Sequence, residues 1–125
     1  MRQKRILIVE DDADVRRLYR TTLAMAGYEV EAAGDGVDAL HLIENRLPDL
    51  IVLDLVLRSL DGVSVQQELA ARSCTSQIPI VVVTGSSIDT RFLPVACVLH
   101  KPVMPDELVR AVKQGLTNAA PAAGA

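Results

Sequence analysis

Apolar and polar residues alternate along this chain in blocks that predict strands and helices in turn. The apolar runs predict five strands, at residues 5–10, 28–33, 49–54, 80–84 and 96–99. The amphipathic segments predict four helices, at residues 13–26, 37–46, 63–72 and 105–116. Strands that alternate with helices imply a parallel sheet joined by right-handed crossovers.

The inward face of the first helix is predicted to carry Val15, Leu18 and Leu23, with Tyr19 and Thr22 beside them. The second helix is expected to turn two apolar residues inward, namely Leu40 and Ile43.

Residues with capping chemistry mark the ends of the predicted helices. Asp12 directly precedes the first helix and is interpreted as its N-cap rather than as a metal ligand. Gly27 ends that helix. Asp61-Gly62 is predicted to form a turn before the third helix, and Pro105 suits the first turn of the last helix.

Composition indicates one globular domain. The chain has 125 residues, of which 50% are apolar, and this argues against disorder. A net charge of −3 without a basic stripe disfavours nucleic-acid binding, and no apolar run is long enough to span a membrane. Cys74 and Cys97 lack metal-site spacing and are interpreted as reduced thiols of a cytoplasmic protein. The domain is predicted at residues 4–117, followed by a disordered tail or linker stub at 118–125.

Polar side chains stand where the apolar strands end. Glu10 and Asp11 close the first strand, Asp54 the third and Thr84 the fourth, and Lys101 comes just after the fifth. Ligands bind at the carboxyl edge of an open parallel sheet, so these groups are expected to converge. Carboxylates, a hydroxyl and an ammonium group together suit a divalent metal ion and a phosphoryl group.

Four short motifs, ILIVEDD, LIVLDL, IVVVTG and LHKP, occur in this order at the ends of the predicted strands. Together they resemble the receiver domain of bacterial response regulators, in the superfamily of the chemotaxis regulators, over residues 4–117. The resemblance implies a flavodoxin-like three-layer α/β fold with a five-stranded parallel sheet in the order 2-1-3-4-5. It also implies a signalling domain that takes a phosphoryl group from a histidine kinase onto Asp54 and loses it slowly by its own chemistry.

The same resemblance assigns roles to the other site residues. Asp11 and Asp54 would bind Mg²⁺ directly, Glu10 would act through water, and Val56 would offer its main-chain carbonyl. The remaining two positions, Thr84 and Lys101, would contact the phosphoryl oxygens and couple phosphorylation to a change of shape. Expected partners are a sensor histidine kinase or phosphotransfer protein, and an output partner or attached domain that the sequence does not identify.

The chain departs from the family pattern in three places. Val98 stands where an aromatic switch residue is usual, and Arg58 stands where a proline is usual. The stretch between Thr84 and Lys101 is short and contains Pro94, so the helix before the fifth strand is predicted to be short or irregular. Dimerisation through that helix is therefore not expected. Contact is expected instead through the loops around Asp54 and the arginines of the first helix, Arg16, Arg17 and Arg20.

Other classes of function remain open to the sequence. One alternative is a receiver-like interaction module that is never phosphorylated, although such modules usually lack the acids or the lysine. Another is a phosphatase of the haloacid type, which would place a second aspartate where Val56 stands. A flavin protein is a third, but acids at residues 10–12 would repel a flavin phosphate. His41 and His100 have no partner at metal spacing and are interpreted as surface residues.

Overall fold

The computed structural model describes residues 2–57, 61–85, 90–91 and 93–118. Its strands are β1 (Arg5–Val9), β2 (Glu29–Ala33), β3 (Leu50–Asp54), β4 (Ile80–Thr84) and β5 (Cys97–His100). Its helices are α1 (Ala13–Met25), α2 (Gly36–Asn45), α3 (Gly62–Ala71) and α4 (Pro105–Asn118). The strands form one parallel sheet in the order β2-β1-β3-β4-β5. The predicted fold class and strand order are confirmed.

Two apolar layers cover the sheet, one on each face. One layer packs β-strand side chains against α2 and α3, with Ile43 and Leu69 among its members. The other packs them against α1 and α4, with Leu23 and Val112 among its members. All five residues of β1, β3 and β4 are buried. Strands buried on both faces read as continuous apolar runs, which is why the sequence pattern located them well.

Three aspartates cap the helices that begin near the functional edge of the sheet. Asp12 accepts hydrogen bonds from the amides of Asp14 and Val15, so its predicted N-cap role is confirmed. Asp35 and Asp61 cap α2 and α3 in the same way. These side chains satisfy amides at the helix starts and stabilise the turns that follow β1, β2 and the loop after β3.

The predicted inward face of α1 is wrong at one position. Leu18 is 49% exposed, whereas Tyr19 and Leu23 are buried. Residues 15, 19 and 23 follow a four-residue spacing that faces the sheet, and position 18 is turned about 100° away from position 19. In α2, Ile43 is buried and Leu40 packs partly buried against the same apolar layer, as predicted.

The connection between β4 and β5 contains no helical residue among those that the structure describes there. Residues 86–89 and 92 lie outside the described residues, so part of the segment predicted to be short or irregular does as well. The prediction for Arg58 also falls outside them, and so does the predicted tail at 118–125 except for Asn118, which is the last residue of α4. Val98 pairs in register with Val82 and is partly buried against the layer under α2 and α3. Within the described ranges, no helix is both long and apolar enough to cross a membrane.

Arg5 is a buried cation at the start of the interior strand β1. Its Nη2 donates to Glu31 Oε2 at 2.8 Å, while Nε lacks a partner within the described part of the chain. Breaking a buried ion pair costs more than replacing the ion by an apolar side chain. We therefore expect Glu31→Ala to lower the free energy of unfolding by about 2 kcal/mol and Arg5→Met to change it by less than about 1 kcal/mol. Urea unfolding measures both, and the reverse order would contradict this interpretation.

Candidate functional site

Three carboxylates meet at the carboxyl edge of the sheet. One oxygen from each of Glu10, Asp11 and Asp54 lies within 4.8 Å of the others. Glu10 and Asp54 follow Ile8 and Val52 by two residues, and both of those side chains lie in the layer facing α1 and α4. Because side chains alternate along a strand, the two acids share this face of adjacent strands. They are also buried, with exposed fractions of 1% and 4%.

Lys101 reaches the two buried acids from the loop after β5. Its Nζ donates to Glu10 Oε1 at 2.6 Å and to Asp54 Oδ2 at 3.1 Å. Its backbone amide donates to the Thr84 carbonyl at 3.0 Å, and the following bond to Pro102 is a cis peptide, as the family resemblance implies. The structure thus brings four of the predicted site residues together.

Backbone amides orient the second oxygen of each buried acid. The amide of Val56 donates to Asp54 Oδ1 at 3.0 Å. The amide of Asp12 donates to Glu10 Oε2 at 3.1 Å. Each carboxylate therefore presents one oxygen to a fixed amide and the other to Lys101, which leaves little rotational freedom at the centre of the site.

Burial and charge pairing act in opposite directions on the titration of this site. Burial raises the pKa of the Glu10 carboxyl, against the opposing hydrogen bonds from Lys101 and the Asp12 amide. Burial alone would lower the pKa of the Lys101 ammonium, but hydrogen bonds and charges from Glu10 and Asp54 raise it above its ordinary value. The raised pKa of Glu10 disfavours the charged pair, because it favours the neutral carboxyl. The raised pKa of Lys101 favours the charged pair, because it favours the ammonium. The 2.6 Å contact supports a charged pair at neutral pH, since a short N–O distance is typical of ionised partners.

A cleft of about 430 Å³ opens above these groups. Its walls include the acids and Lys101, together with four flanking residues, Asp12, Val15, Val56 and Gly85. The Val56 side chain is exposed at the rim. The predicted use of its carbonyl as a ligand stays a prediction.

Thr84 lies beneath the site rather than on the cleft wall. Its exposed fraction is 0%, and Gly85 lines the cleft in its place. Thr84 follows Val82 by two residues, and Val82 lies in the layer facing α2 and α3. Strand alternation therefore places Thr84 on the opposite face of the sheet from Glu10 and Asp54.

Sequence reasoning missed two residues that shape the site. The sequence predicts that Arg16 belongs to a contact surface, yet its Nη1 donates to the Glu10 carbonyl at 2.9 Å. The sequence predicts Gly62 only as part of a turn, yet a β-carbon built there would collide with the Asp54 carbonyl oxygen. Each contact joins residues on different parts of the fold, so neighbouring residues in the sequence do not predict it. The Asp61-Gly62 pair indicates a turn, but not the close approach to Asp54.

A sequence model described as "Response regulator receiver domain" matches residues 6–113. The chain belongs to this family. The response regulator MprA of Mycobacterium sp. (strain KMS) is 39% identical in an alignment of 125 positions, which covers 96% of this chain and 54% of that protein. A probable transcriptional regulator, ycf27 of Porphyridium aerugineum, is 36% identical in an alignment of 121 positions, which covers 93% of this chain and 49% of that protein. This receiver domain spans about half the length of these curated relatives.

Solved structures of other receiver proteins share its fold. A putative response regulator from Chloroflexus aurantiacus J-10-fl is 31% identical, with a TM-score of 0.87 over 94% of this chain and 100% of that one. The receiver domain of a sensor histidine kinase from Pseudomonas aeruginosa PAO1 is 27% identical, with a TM-score of 0.86 and the same two coverages. That structure holds a magnesium ion in its active site cleft.

Proposed function

We propose that this receiver domain accepts a phosphoryl group on Asp54 from a phosphohistidine of a sensor histidine kinase or phosphotransfer protein. The observation that carries the proposal is the Asp54 carboxylate, which is buried at the base of an open cleft between Glu10 and Lys101. An Asp54 oxygen would form the new P–O bond as the P–N bond of the donor breaks, and the imidazole nitrogen would keep the electron pair. Lys101 would remain a cation beside the transferred group throughout.

The acids of the site fit a divalent metal ion. The cluster offers oxygen ligands only, from Glu10, Asp11 and Asp54, and Mg²⁺ prefers such ligands. Like charges about 4 Å apart repel by roughly 4 kcal/mol at an effective dielectric near 20. These three residues, with the Val56 carbonyl, would hold Mg²⁺, which would supply neutralising charge to the acceptor and the donor. Lys101 Nζ supplies part of that charge within the protein itself.

Lys101 and Thr84 would convert phosphorylation into a change of shape. Aspartyl phosphate adds about −1.5 to −2 charges and strong acceptor oxygens beside Lys101. Thr84 is buried on the other face of the sheet, so its hydroxyl would reach a phosphoryl oxygen only after the main chain at Gly85 shifts. That shift is the proposed switch, and it would favour one of two pre-existing conformations. The site would also support slow hydrolysis of its own aspartyl phosphate.

The cytoplasmic location of the protein stays a prediction.

Asp54→Ala is expected to abolish phosphoryl incorporation, because it removes the only proposed nucleophile. The full chain is incubated with acetyl phosphate and Mg²⁺, and intact mass spectrometry counts the phosphoryl groups. Asp35→Ala, which removes an aspartate from the α2 cap, serves as the matched control and should label like the parent. Labelling of Asp54→Ala at the parent level would overturn the assignment, and an unlabelled parent would overturn the proposed function.

Asp11→Asn is expected to weaken Mg²⁺ binding by roughly tenfold or more, since affinity follows the charge of the ligands. The same change removes one like charge from the cluster, so the melting temperature of the metal-free protein should rise. Calorimetric titration measures the first effect and thermal unfolding in EDTA the second. Parent-like Mg²⁺ affinity in this variant would show that the proposed ligand set is wrong.

A further inference from the structure

We infer that Arg16 is a positioning residue, which fixes the main chain of Glu10 and Asp11 so that their carboxylates face Asp54. The inference rests on the proposed function, because it concerns the metal affinity and phosphorylation of the same site. It goes beyond that function by assigning a role to an α1 side chain that is neither a metal ligand nor a phosphoryl contact.

The hydrogen bonds of the Arg16 guanidinium point to main-chain oxygens. Nη1 donates to the Glu10 carbonyl at 2.9 Å and approaches the Asp11 carbonyl at 3.4 Å. The Arg16 backbone amide also donates to the Asp12 carbonyl at 2.9 Å, within the first turn of α1. Arg16 therefore contacts three consecutive residues of the β1–α1 turn, two of which carry acids of the site.

The helix that carries Arg16 is itself fixed to the core. Tyr19 and Leu23 of α1 are buried in the layer beneath Ile8 and Val52. The base of the Arg16 side chain is therefore held in place, and its charge-assisted hydrogen bonds can restrain the turn.

Because Gly34 has no side chain, it leaves room for the guanidinium of Arg16. A β-carbon at Gly34 would lie 3.3 Å from Arg16 Nη1 and 3.7 Å from Cζ. The preceding residue, Ala33, accepts a hydrogen bond from the Glu10 amide at 3.1 Å. Arg16 thus lies between the end of β1, the first turn of α1 and the turn after β2, and it joins three segments around the acid pair.

Two roles for Arg16 predict opposite effects on metal binding. If Arg16 acted through its positive charge alone, removing the charge would strengthen the binding of a cation nearby. If Arg16 positions the acids, removing the guanidinium would weaken binding, because the carboxylates would lose their alignment. Loss of an outer partner of metal ligands typically weakens affinity by about 10–100-fold.

The test measures the Mg²⁺ dissociation constant of Arg16→Met and Arg16→Lys well below their melting temperatures. We expect Arg16→Met to bind at least about tenfold more weakly than the parent and Arg16→Lys to fall between them. Arg17→Met removes a charge from the neighbouring exposed position and should bind as tightly as the parent or slightly more tightly. Labelling of Arg16→Met by acetyl phosphate should be slow at limiting Mg²⁺ and recover towards the parent rate at saturating Mg²⁺.

A second variant makes the test independent of the folding of Arg16→Met. Gly34→Val should displace the guanidinium and weaken Mg²⁺ binding in the parent, but add little in the Arg16→Met background. If Arg16→Met does not fold, Arg16→Lys and Gly34→Val decide the question. Unchanged or tighter Mg²⁺ binding in the folded variants would overturn the positioning role. A parent that neither binds Mg²⁺ nor labels would instead overturn the proposed function.

Discussion

Gly62→Ala is expected to lower the free energy of unfolding by about 3 kcal/mol or more. The added methyl group would collide with the carbonyl oxygen of Asp54 and lie 2.5 Å from the α-carbon of Leu55. Both are main-chain atoms of the central strand and its exit, so no side-chain rotation can relieve the overlap. The amide of Gly62 also donates to the Leu55 carbonyl at 3.0 Å, which holds the start of α3 against this segment.

Urea unfolding of three alanine variants would separate this collision from the general cost of replacing glycine. At Gly115 the added carbon would meet Leu50 Cδ1 at 2.7 Å, the end of a side chain that can move. At Gly85 it would meet Lys101 Cβ at 3.7 Å, an ordinary contact. We expect the loss of stability to be largest at Gly62, intermediate at Gly115 and smallest at Gly85. A Gly62→Ala protein as stable as Gly85→Ala would contradict the close packing described here.

Lys101→Met is expected to destabilise the metal-free domain by about 2 kcal/mol, since it leaves two buried carboxylates without the cation that they share. This value lies below the cost for fully buried pairs because the Lys101 side chain is partly exposed. Methionine keeps the apolar stem, so the loss reports the ammonium rather than packing. Added Mg²⁺ should then stabilise the variant more than it stabilises the parent. At a hundredfold excess over the Kd of the variant, the total stabilisation of the variant by Mg²⁺ would be about 2.7 kcal/mol.

Thermal unfolding in EDTA and in excess Mg²⁺ would measure both parts of this prediction. Lys113→Met removes an ammonium from the exposed surface of α4 and should behave like the parent in both conditions. Equal melting temperatures for Lys101→Met and the parent in EDTA would show that the ion pair contributes no net stability. A smaller Mg²⁺ response in Lys101→Met than in the parent would contradict the idea that lysine and metal neutralise the same acids.

The sequence predicted the sheet well because its three central strands are buried on both faces. Residues 6–9, 50–53 and 80–83 are uninterrupted apolar runs, and each is a strand in the structure. The acids were also predictable as a cluster, because parallel strands end at a common edge. Helix starts followed from local chemistry, as at Asp12 and Pro105.

Other features depend on contacts that the local sequence does not encode. Leu18 is apolar, but the rotation of α1 on the sheet is decided by how Tyr19 and Leu23 pack. Arg5 is charged, but its burial follows from its place at the start of β1, which has a strand on either side. Neither position could be assigned from residue type alone.

The alternation of side chains along a strand also relates Asp54 to Thr84, once the register of β3 and β4 is known. Counting back by two from Asp54 reaches Val52, and from Thr84 reaches Val82, and these valines lie in opposite apolar layers. To compare the two strands, one must know which residues of β3 and β4 lie side by side. In their parallel pairing Asp54 lies beside Val83. Asp54 and Thr84 are therefore offset by one residue, and they emerge on opposite faces of the sheet.

The order in which the site residues are synthesised decides when the site can be completed. Lys101 and Glu10 meet although they are 91 residues apart, and β5 is an edge strand that pairs only with β4. The helix α4, which packs in the apolar layer beneath the two buried acids, follows β5 in the sequence. A chain that ends before β5 therefore contains Glu10 and Asp54 but neither Lys101 nor α4. The paired arrangement of Glu10, Asp54 and Lys101 therefore forms only once the chain has been made through Lys101.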